Sequence, residues 1–390
     1  MAVPDSGVLS LLAIYNELAE NNYSSGTSRT NVSLNNLSTG GNPPNEAINT
    51  ANAEGDRPNG GSNNHAMSEF YSYNHDAAGV GAPTSLSYTA ASTTTTTFTF
   101  TEASSTTRVY VYLVDLNGDD ANEGQLVFVD GSSEYITVDG SGTTSKTLGN
   151  GNDYYNDDTG DSPSTEALTL ATNDYVDIKF RSWASSTFSS YTSALRCWTL
   201  PTAPGAPTLG SETTSAIAVS WSAPTGGASS YILYLDTNTS PTTQVAAQSG
   251  TSYTKTGLSS NTRYYARLKS VGGGGDNSAY GATSNTYTLP NQVSNLSSPS
   301  KTSTTVNLDW DAVSGGTQSY KVEYKNAIGF SWTVFATGVT ASEDTVTGLT
   351  AGIQYNFRVS AANGAGVYGA TSSIITIQTN LSGGPGGKGP

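Results

Sequence analysis

The sequence predicts a mainly β chain whose C-terminal half contains two tandem copies of one antiparallel β unit. Charged residues make up only 12% of the 390 residues, and Gly, Ser, Thr and Asn are abundant, as in short strands joined by many turns. Apolar and polar residues alternate in many short stretches, which is the pattern of half-buried strands. One set of Trp, Tyr and Leu landmarks occurs twice, about 90 positions apart, which indicates tandem modules.

These patterns divide the chain into five parts. We predict an N-terminal helix plus an extended loop segment, used for docking, then a β-sandwich or jelly-roll-like domain, the two repeated units, and a Gly/Pro-rich tail. The predicted ranges are 1–79, 80–200, 203–289, 290–379 and 380–390.

The N-terminal segment combines one amphipathic helix with a long polar loop. Ser6 is a suitable N-cap, and apolar residues recur after it at three- and four-residue spacing as far as Asn21. Two interpretations remain open: the helix packs on its own domain, or it docks into a neighbouring subunit together with an aromatic cluster near residue 70. The candidate docking residues are Val8, Leu9, Leu11, Leu12, Ile14, Tyr15, Leu18, Phe70 and Tyr71.

Three short motifs in this segment carry a resemblance. They are the helix Gly7–Leu18, the Ser33-Leu34 step and the aromatic stretch Met67–Tyr71. Together they resemble N-terminal segments of tailed-phage structural proteins. The resemblance implies that this segment attaches the chain to a phage particle.

In residues 80–200, apolar and polar residues alternate in short stretches, which predicts an all-β domain. Val109, Val111 and Leu113 are interleaved with Tyr110 and Tyr112, which predicts an apolar strand covered on both faces. Eight short strands fit a sandwich or a jelly roll. The candidate strands are Ser85–Ala90, Thr95–Thr101, Arg108–Asp115, Gln125–Val129, Glu134–Val138, Ala167–Leu170, Tyr175–Ser182 and Ala194–Thr199.

The repeated units share four landmarks in the same order. The Trp pair and the first Tyr pair are each 89 positions apart, and the Leu and second Tyr pairs are each 91 apart. The pairs are Trp221 and Trp310, Tyr231 and Tyr320, Leu258 and Leu349, and Tyr264 and Tyr355. These motifs resemble the fibronectin type III family, which implies two fibronectin type III-like antiparallel sandwiches, each with a Tyr hydroxyl returning to nearby backbone. The integrin-binding Arg-Gly-Asp of that family is absent, so that role is not implied.

Composition narrows the choice of partners and of compartment. A net charge of −15 argues against binding to nucleic acid or to anionic lipid. We find no secretory signal and no run of 18 apolar residues, so no membrane span is expected. A single cysteine, Cys197, excludes an internal disulfide framework and is expected to be a small buried residue.

Three features were considered as chemical sites. The acidic stretch 115–123 fails the EF-hand pattern because Asp120 stands where Gly is required, so a hairpin turn is preferred. The stretch 152–161 is expected to be an exposed acidic loop with two tyrosines, which leaves open whether either stretch binds a cation. His65 and His75 lack the partners of a zinc site. No enzyme signature is present, and no catalytic residue, metal or cofactor is predicted.

Two functions follow from these observations. In the first, the chain is a non-enzymatic structural component of a bacteriophage virion, made in the host cytoplasm, that contacts other virion proteins and copies of itself and presents β modules to host glycans. In the second, it is an extracellular bacterial adhesin or an accessory carbohydrate-binding protein. The expected absence of a signal peptide favours the first.

Overall fold

The computed structural model describes residues 80–116, 124–127, 135–156, 164–184, 187–315 and 319–383. All regular secondary structure in these ranges is β, which confirms the mainly-β prediction. Among the described residues, no helix is long and apolar enough to cross a membrane. The predicted N-terminal helix, the docking residues Val8 to Leu18, Phe70 and Tyr71, and both histidines lie outside the described ranges.

The chain forms two compact units, Met1–Leu200 and Pro201–Pro390. The described part of the first unit contains eleven strands. They are β1 (Thr84–Ala90), β2 (Thr95–Thr101), β3 (Arg108–Leu116), β4 (Gly124–Val127), β5 (Ile136–Thr137), β6 (Thr143–Gly149), β7 (Asp153–Asn156), β8 (Ser164–Ala167), β9 (Tyr175–Ala184), β10 (Thr187–Phe188) and β11 (Leu195–Trp198).

These strands form two antiparallel sheets that enclose one core. The smaller sheet has the order β1-β2-β6, and the larger has the order β10-β9-β3-β4-β7-β8, with β11 also paired to β9 and β5 to β3. Phe98 and Phe100 of β2 pack on Phe180 of β9, with ring centroids 5.2 and 5.6 Å apart. All three rings are fully buried, because alternation directs every second side chain of each strand between the sheets.

Three expectations for this unit need correction. The stretch 152–161 is not a loop throughout, because Asp153–Asn156 is strand β7, paired with β4 and β8. The predicted strand at 167–170 lies earlier, at Ser164–Ala167, and the buried Leu168 and Leu170 follow it outside the ladder. Strand β6 was not predicted at all, since its exposed polar residues give no apolar alternation.

The second unit contains two modules that share seven strands in the same order, and the second module has one additional strand near its end. The first module comprises β12 (Thr208–Gly210), β13 (Ala216–Ser220), β14 (Ser230–Asp236), β15 (Gln244–Gln248), β16 (Ser252–Thr256), β17 (Arg263–Val271) and β18 (Ser284–Tyr287). The second comprises β19 (Ser297–Lys301), β20 (Val306–Asp309), β21 (Ser319–Asn326), β22 (Thr333–Val339), β23 (Glu343–Val346), β24 (Gln354–Ala362), β25 (Tyr368–Thr371) and β26 (Ile375–Gln378).

Each module packs one three-stranded sheet against one larger sheet. The orders are β12-β13-β16 with β15-β14-β17-β18 in the first module, and β19-β20-β23 with β22-β21-β24-β25 and β26 in the second. The repeated Trp and Tyr landmarks meet edge to face in both cores, with centroids 5.7 Å apart for Trp221 and Tyr231 and 5.3 Å apart for Trp310 and Tyr320. The quadrupoles of the two rings favour this edge-to-face geometry.

The second Tyr landmark makes the backbone contact that was predicted. The N–H of Ser259 donates to the hydroxyl of Tyr264 at 3.0 Å, and the N–H of Thr350 donates to the hydroxyl of Tyr355 at 3.1 Å. In each module this bond fixes the turn that precedes the long strand, so the two copies are equivalent in structure as well as in sequence.

The two modules meet along a seam of small residues. Tyr287 of the first module lies against Gly364 of the second, where an added Cβ would stand 2.5 Å from its ring, and a Cβ added at Gly369 would stand 2.8 Å from the carbonyl oxygen of Pro290. Asn261 donates through its side-chain amide to the carbonyl of Gly315, which itself has a φ of +92°. A side chain at Gly364 or Gly369 would collide with the other side of the seam, and the positive φ of Gly315 disfavours any other residue there, so the seam favours glycine at these positions.

Candidate functional site on an aromatic sheet face

The outer face of the larger sheet in the first unit carries aromatic and cationic side chains. Four chain segments supply them: β3, β9, the edge segment that includes β10 and β11, and the residue before β5, which pairs with β3. Along β3 and β9, the odd-even alternation buries one set of side chains and leaves the other set half-buried on the outside. The outer set is Arg108, Tyr110, Tyr112, Tyr175, Asp177, Lys179, Arg181 and Trp183.

The register of β3 and β9 pairs each cation with an aromatic ring. Directly opposite pairs are Arg108 with Trp183, Tyr110 with Arg181, and Tyr112 with Lys179. Neighbours directly across an antiparallel pair are close enough for their side chains to interact. Three consecutive outward rows therefore each hold one positive charge and one ring.

Arg181 lies at the centre of this face. Its guanidinium carbon is 3.8 Å from the ring centroid of Phe188 and 5.0 Å from those of Tyr112 and Tyr191. Its Nη2 donates to the hydroxyl of Tyr112 at 2.7 Å. A guanidinium held by several ring faces loses little further freedom when it binds an anion.

The remaining cations are also set among rings. Arg108 lies over Tyr135 and Trp183, 4.2 and 4.4 Å from the two centroids. Lys179 lies 4.7 Å from the centroid of Tyr191. The rings of Phe188 and Tyr191 are 40% and 39% exposed, so their outer surfaces are open to a ligand. We name Arg108, Tyr110, Tyr112, Tyr135, Lys179, Arg181, Trp183, Phe188 and Tyr191 the aromatic–cation face.

Beyond this face, the charges on the same sheet surface compensate one another. Arg196 donates through Nε and Nη2 to both carboxylate oxygens of Asp177, at 2.9 and 2.7 Å, and this hydrogen bonding raises the pKa of Arg196. Tyr175 stacks on Trp198 with centroids 5.0 Å apart. Burial raises the pKa of the Tyr175 hydroxyl, and the nearby carboxylate of Asp115 raises it further. The hydroxyl is neutral at physiological pH.

Only some residues of the acidic stretches 115–123 and 152–161, which the sequence suggests as cation ligands, lie in the described ranges. Asp115 is the penultimate residue of strand β3 and accepts a 3.4 Å hydrogen bond from Tyr175, whereas residues 117–123 lie outside the described ranges. In the part of the chain that the structure describes, no three His, Cys, Asp or Glu side chains are grouped as metal ligands. Whether the stretches 115–123 and 152–161 bind a cation therefore stays untested.

The aromatic–cation face was not identified from sequence, although part of its signal was present. In β9, Lys179, Arg181 and Trp183 alternate with buried residues, which marks them as one outward row. The alternating tyrosines of β3 were noted but were expected to be covered on both faces; they are half-buried instead. What joins the two rows is the β3–β9 register between residues about 70 positions apart, such as Tyr112 and Lys179.

Family comparison identifies the modules of the second unit. Residues 202–286 and 291–378 each match the model of the fibronectin type III domain. The chain carries two fibronectin type III domains in tandem. This agrees with the four repeated landmarks and with the paired sheets of each module. The phage-like resemblance of the N-terminal segment has no counterpart among these matches.

Similar chains include two named bacterial proteins. Chitinase A1 of Niallia circulans is 28% identical over 197 residues, and Exoglucanase B of Cellulomonas fimi is 29% identical over 198 residues. Each match covers 46% of this chain but only 26% and 17%, respectively, of the relative. Stretches similar to part of this chain therefore occur within two larger proteins with carbohydrate-related names.

Two solved structures were also matched. A segment of two fibronectin type III domains from chicken tenascin is 19% identical, covers 46% of this chain and 99% of its own, and has a TM-score of 0.32. The FN1–FN3 domains of chicken CNTN1 are 13% identical, cover 77% of this chain and 98% of their own, and have a TM-score of 0.27.

Proposed function

We propose that this chain is a non-enzymatic glycan-attachment protein, in which the first unit binds polysaccharide and the tandem fibronectin type III domains act as spacers. The observation that carries the proposal is the aromatic–cation face. One side of a pyranose ring presents C–H groups, which pack on exposed aromatic rings such as Phe188 and Tyr191. The sugar hydroxyls then face the polar groups between those rings.

Two further observations support an attachment role. The carboxylate of Asp177, which lies on the same sheet surface, is engaged on both oxygens by Arg196 and so is not placed as a general acid or base. In addition, the relatives that share part of this chain carry names that refer to chitin and glucan. A spacer joined to a binding unit is a common arrangement in modular proteins, but the identity of the ligand must be inferred from the binding site itself.

The proposal is tested by binding of the full-length protein to a panel of soluble and insoluble polysaccharides. Tyr191→Ala is expected to weaken binding about tenfold, as removal of a stacking ring does elsewhere. Tyr280→Ala is the matched control, because Tyr280 is also 39% exposed and also stacks on a lysine, Lys269, but lies on the first fibronectin type III domain.

The outcome separates the two surfaces of the chain. Retention by at least one polysaccharide, reduced in Tyr191→Ala and unchanged in Tyr280→Ala, supports the proposal. Loss of binding only in Tyr280→Ala would assign recognition to the fibronectin type III domain instead. The proposal fails if no polysaccharide binds or if both variants bind like the wild type.

The carrier of this attachment protein is proposed to be a bacteriophage particle, and a bacterial surface or an accessory carbohydrate-binding system is the alternative. The proposal rests on the phage-like motifs of residues 1–79. Deletion of residues 1–22 is expected to leave thermal unfolding of the chain unchanged while abolishing its incorporation into particles and its self-association. Light scattering and particle purification measure the two effects, and assembly of the truncated chain like the wild type would contradict the docking role.

A further inference from the structure

The aromatic–cation face is positively charged in a strongly acidic chain. The whole sequence has 31 acidic and 16 basic residues. Arg108, Lys179 and Arg181 nevertheless lie side by side on this face, on consecutive rows of β3 and β9. Among the described residues, none of the three forms an ion pair with a carboxylate; their neighbours are rings.

Several other basic groups of the described residues are paired with carboxylates, whereas Arg267 and Lys269 of the first fibronectin type III domain also lie over a ring, that of Tyr280, without such a partner. Arg196 is held by Asp177, and Arg358 and Lys321 are held by Glu323, so their charges are compensated within the protein. Unpaired cations beside aromatic rings place positive potential where a ring-shaped ligand would lie. Charge complementarity then favours a ligand that carries its own negative charge.

We propose that the aromatic–cation face selects polysaccharides that bear carboxylates, that is, polymers containing uronic acid residues. This inference rests on the glycan-attachment function and specifies its ligand class. The rings receive the C–H face of the sugars, and the guanidinium and ammonium groups receive the carboxylates. Arginine suits this task because its planar donors match the two oxygens of a carboxylate.

A ligand with spaced negative charges fits the spacing of the cations. The three rows follow one another along the strands, and same-face residues of a strand repeat about every 7 Å. A uronic acid polymer offers repeated carboxylates along its length and can contact more than one row at once. Single-stranded nucleic acid also combines negative charge with stacking bases, so it is the competing ligand in the test.

The test measures binding of the full-length protein to three uronic acid polymers, polygalacturonate, alginate and hyaluronan, each beside its carboxyl-reduced, neutral product. Neutral chitin and cellulose and a single-stranded oligothymidylate complete the panel. At least one acidic polymer is expected to bind tenfold or more tightly than its reduced form. Its affinity is expected to fall as NaCl is raised from 50 to 500 mM, because salt screens exposed charges.

A matched pair of variants locates the effect. Lys179→Gln is expected to weaken binding to the acidic polymer about fivefold, the upper value for one exposed ion pair. Lys269→Gln is the control, since Lys269 lies over Tyr280 on the first fibronectin type III domain much as Lys179 lies over Tyr191. It is expected to bind like the wild type.

Each other result has a defined meaning. Equal binding of acidic polymers and their reduced products overturns the selection for carboxylates but leaves glycan attachment standing. Binding to none of the polysaccharides overturns both. Tighter binding to oligothymidylate than to any polysaccharide would identify the face as a nucleic-acid surface. An unchanged affinity of Lys179→Gln for the acidic polymer would show that the selecting charges lie elsewhere.

Discussion

Cys197 shows how burial controls the chemistry of one residue. Its side chain is fully buried in the core of the first unit, at the edge strand β11, which confirms the expectation of a small buried residue. Burial raises the pKa of the thiol from 9.0 to about 12, and the nearby charge of Asp177 adds to the rise. The thiolate, which is the reactive form, is therefore suppressed near neutral pH.

We predict that Cys197 resists thiol reagents while the protein is folded. At pH 8 in native buffer, reaction with Ellman's reagent should be at least a hundredfold slower than in guanidinium chloride, because access and ionisation are both blocked. Absorbance of the released thiolate measures the two rates. Native labelling at the denatured rate would contradict the buried position.

The same shift predicts a dependence of stability on pH. A folded-state pKa raised above the unfolded value stabilises the fold below the unfolded value of 9.0, and this contribution is lost as pH rises toward about 12. Between pH 8 and pH 11 the unfolding temperature of the first unit should therefore fall further in the wild type than in Cys197→Ala. Equal slopes in calorimetry would show that the thiol does not titrate in this way.

The paired strands β21 and β24 hold the clearest ion cluster of the second unit. Arg358 donates through Nε and Nη2 to the carboxylate of Glu323 at 3.0 and 3.2 Å, and Lys321 lies 3.4 Å away. Glu323 is only 5% exposed. At the corresponding place in the first fibronectin type III domain, Tyr234 of β14 meets the ring of Tyr280 edge to face, and Arg267 of β17 lies over that same ring.

Removal of the buried carboxylate should destabilise the second domain. Glu323→Ala leaves Arg358 and Lys321 without a counter-charge, and we expect a loss of about 1–3 kcal/mol, between the values for exposed and buried pairs. Denaturant unfolding of the full chain measures it. Glu343→Ala, at an exposed position of β23, is the control and should change stability by less than about 0.5 kcal/mol. Similar losses in both variants would exclude a special role for the cluster.

Sequence alone predicted the strands whose alternation is strong. The Thr-Phe-Thr-Phe pattern of β2 gave its bounds, Thr95–Thr101, and the repeated Trp and Tyr landmarks gave the two fibronectin type III domains. Strand β6 is not predictable from its own polar residues, because its pairing with β2 is what makes it a strand. The aromatic–cation face is not predictable from sequence for a related reason. It depends on the register between strands that are distant in sequence, and local patterns do not determine that register.

The seam between the fibronectin type III domains determines how the second unit holds together. Besides the contact of Tyr287 with Gly364, Asn261 of the first domain donates to the carbonyl of Gly315, and Asn363 of the second donates to that of Thr288 at 3.4 Å. Bonds from side chains of each domain to backbone of the other, or of the linker, fix their mutual position more firmly than the Leu289-Pro290-Asn291 linker alone would.

We predict that Gly364→Ala loosens this seam. The new Cβ would stand 2.5 Å from the Tyr287 ring, which must move, at a cost of about 1–3 kcal/mol, typical of overpacking. Small-angle scattering should show a broader distribution of distances within the chain. Gly210→Ala is the control, because a Cβ at Gly210 meets no atom within 4 Å. A scattering profile unchanged in Gly364→Ala would indicate that Tyr287 turns aside without opening the domains.

The seam also limits how such domains can be multiplied. Asn261 and Tyr287 supply one half of it, but the matching positions of the second domain, judged by the β17–β18 and β24–β26 pairings, are Gly352 and Gln378. A further copy placed after the second domain would meet neither the amide nor the ring on which Gly315 and Gly364 rest. The same joint therefore cannot be repeated: adding a third domain by gene duplication would yield a hinge, and only compensating substitutions would restore stiffness.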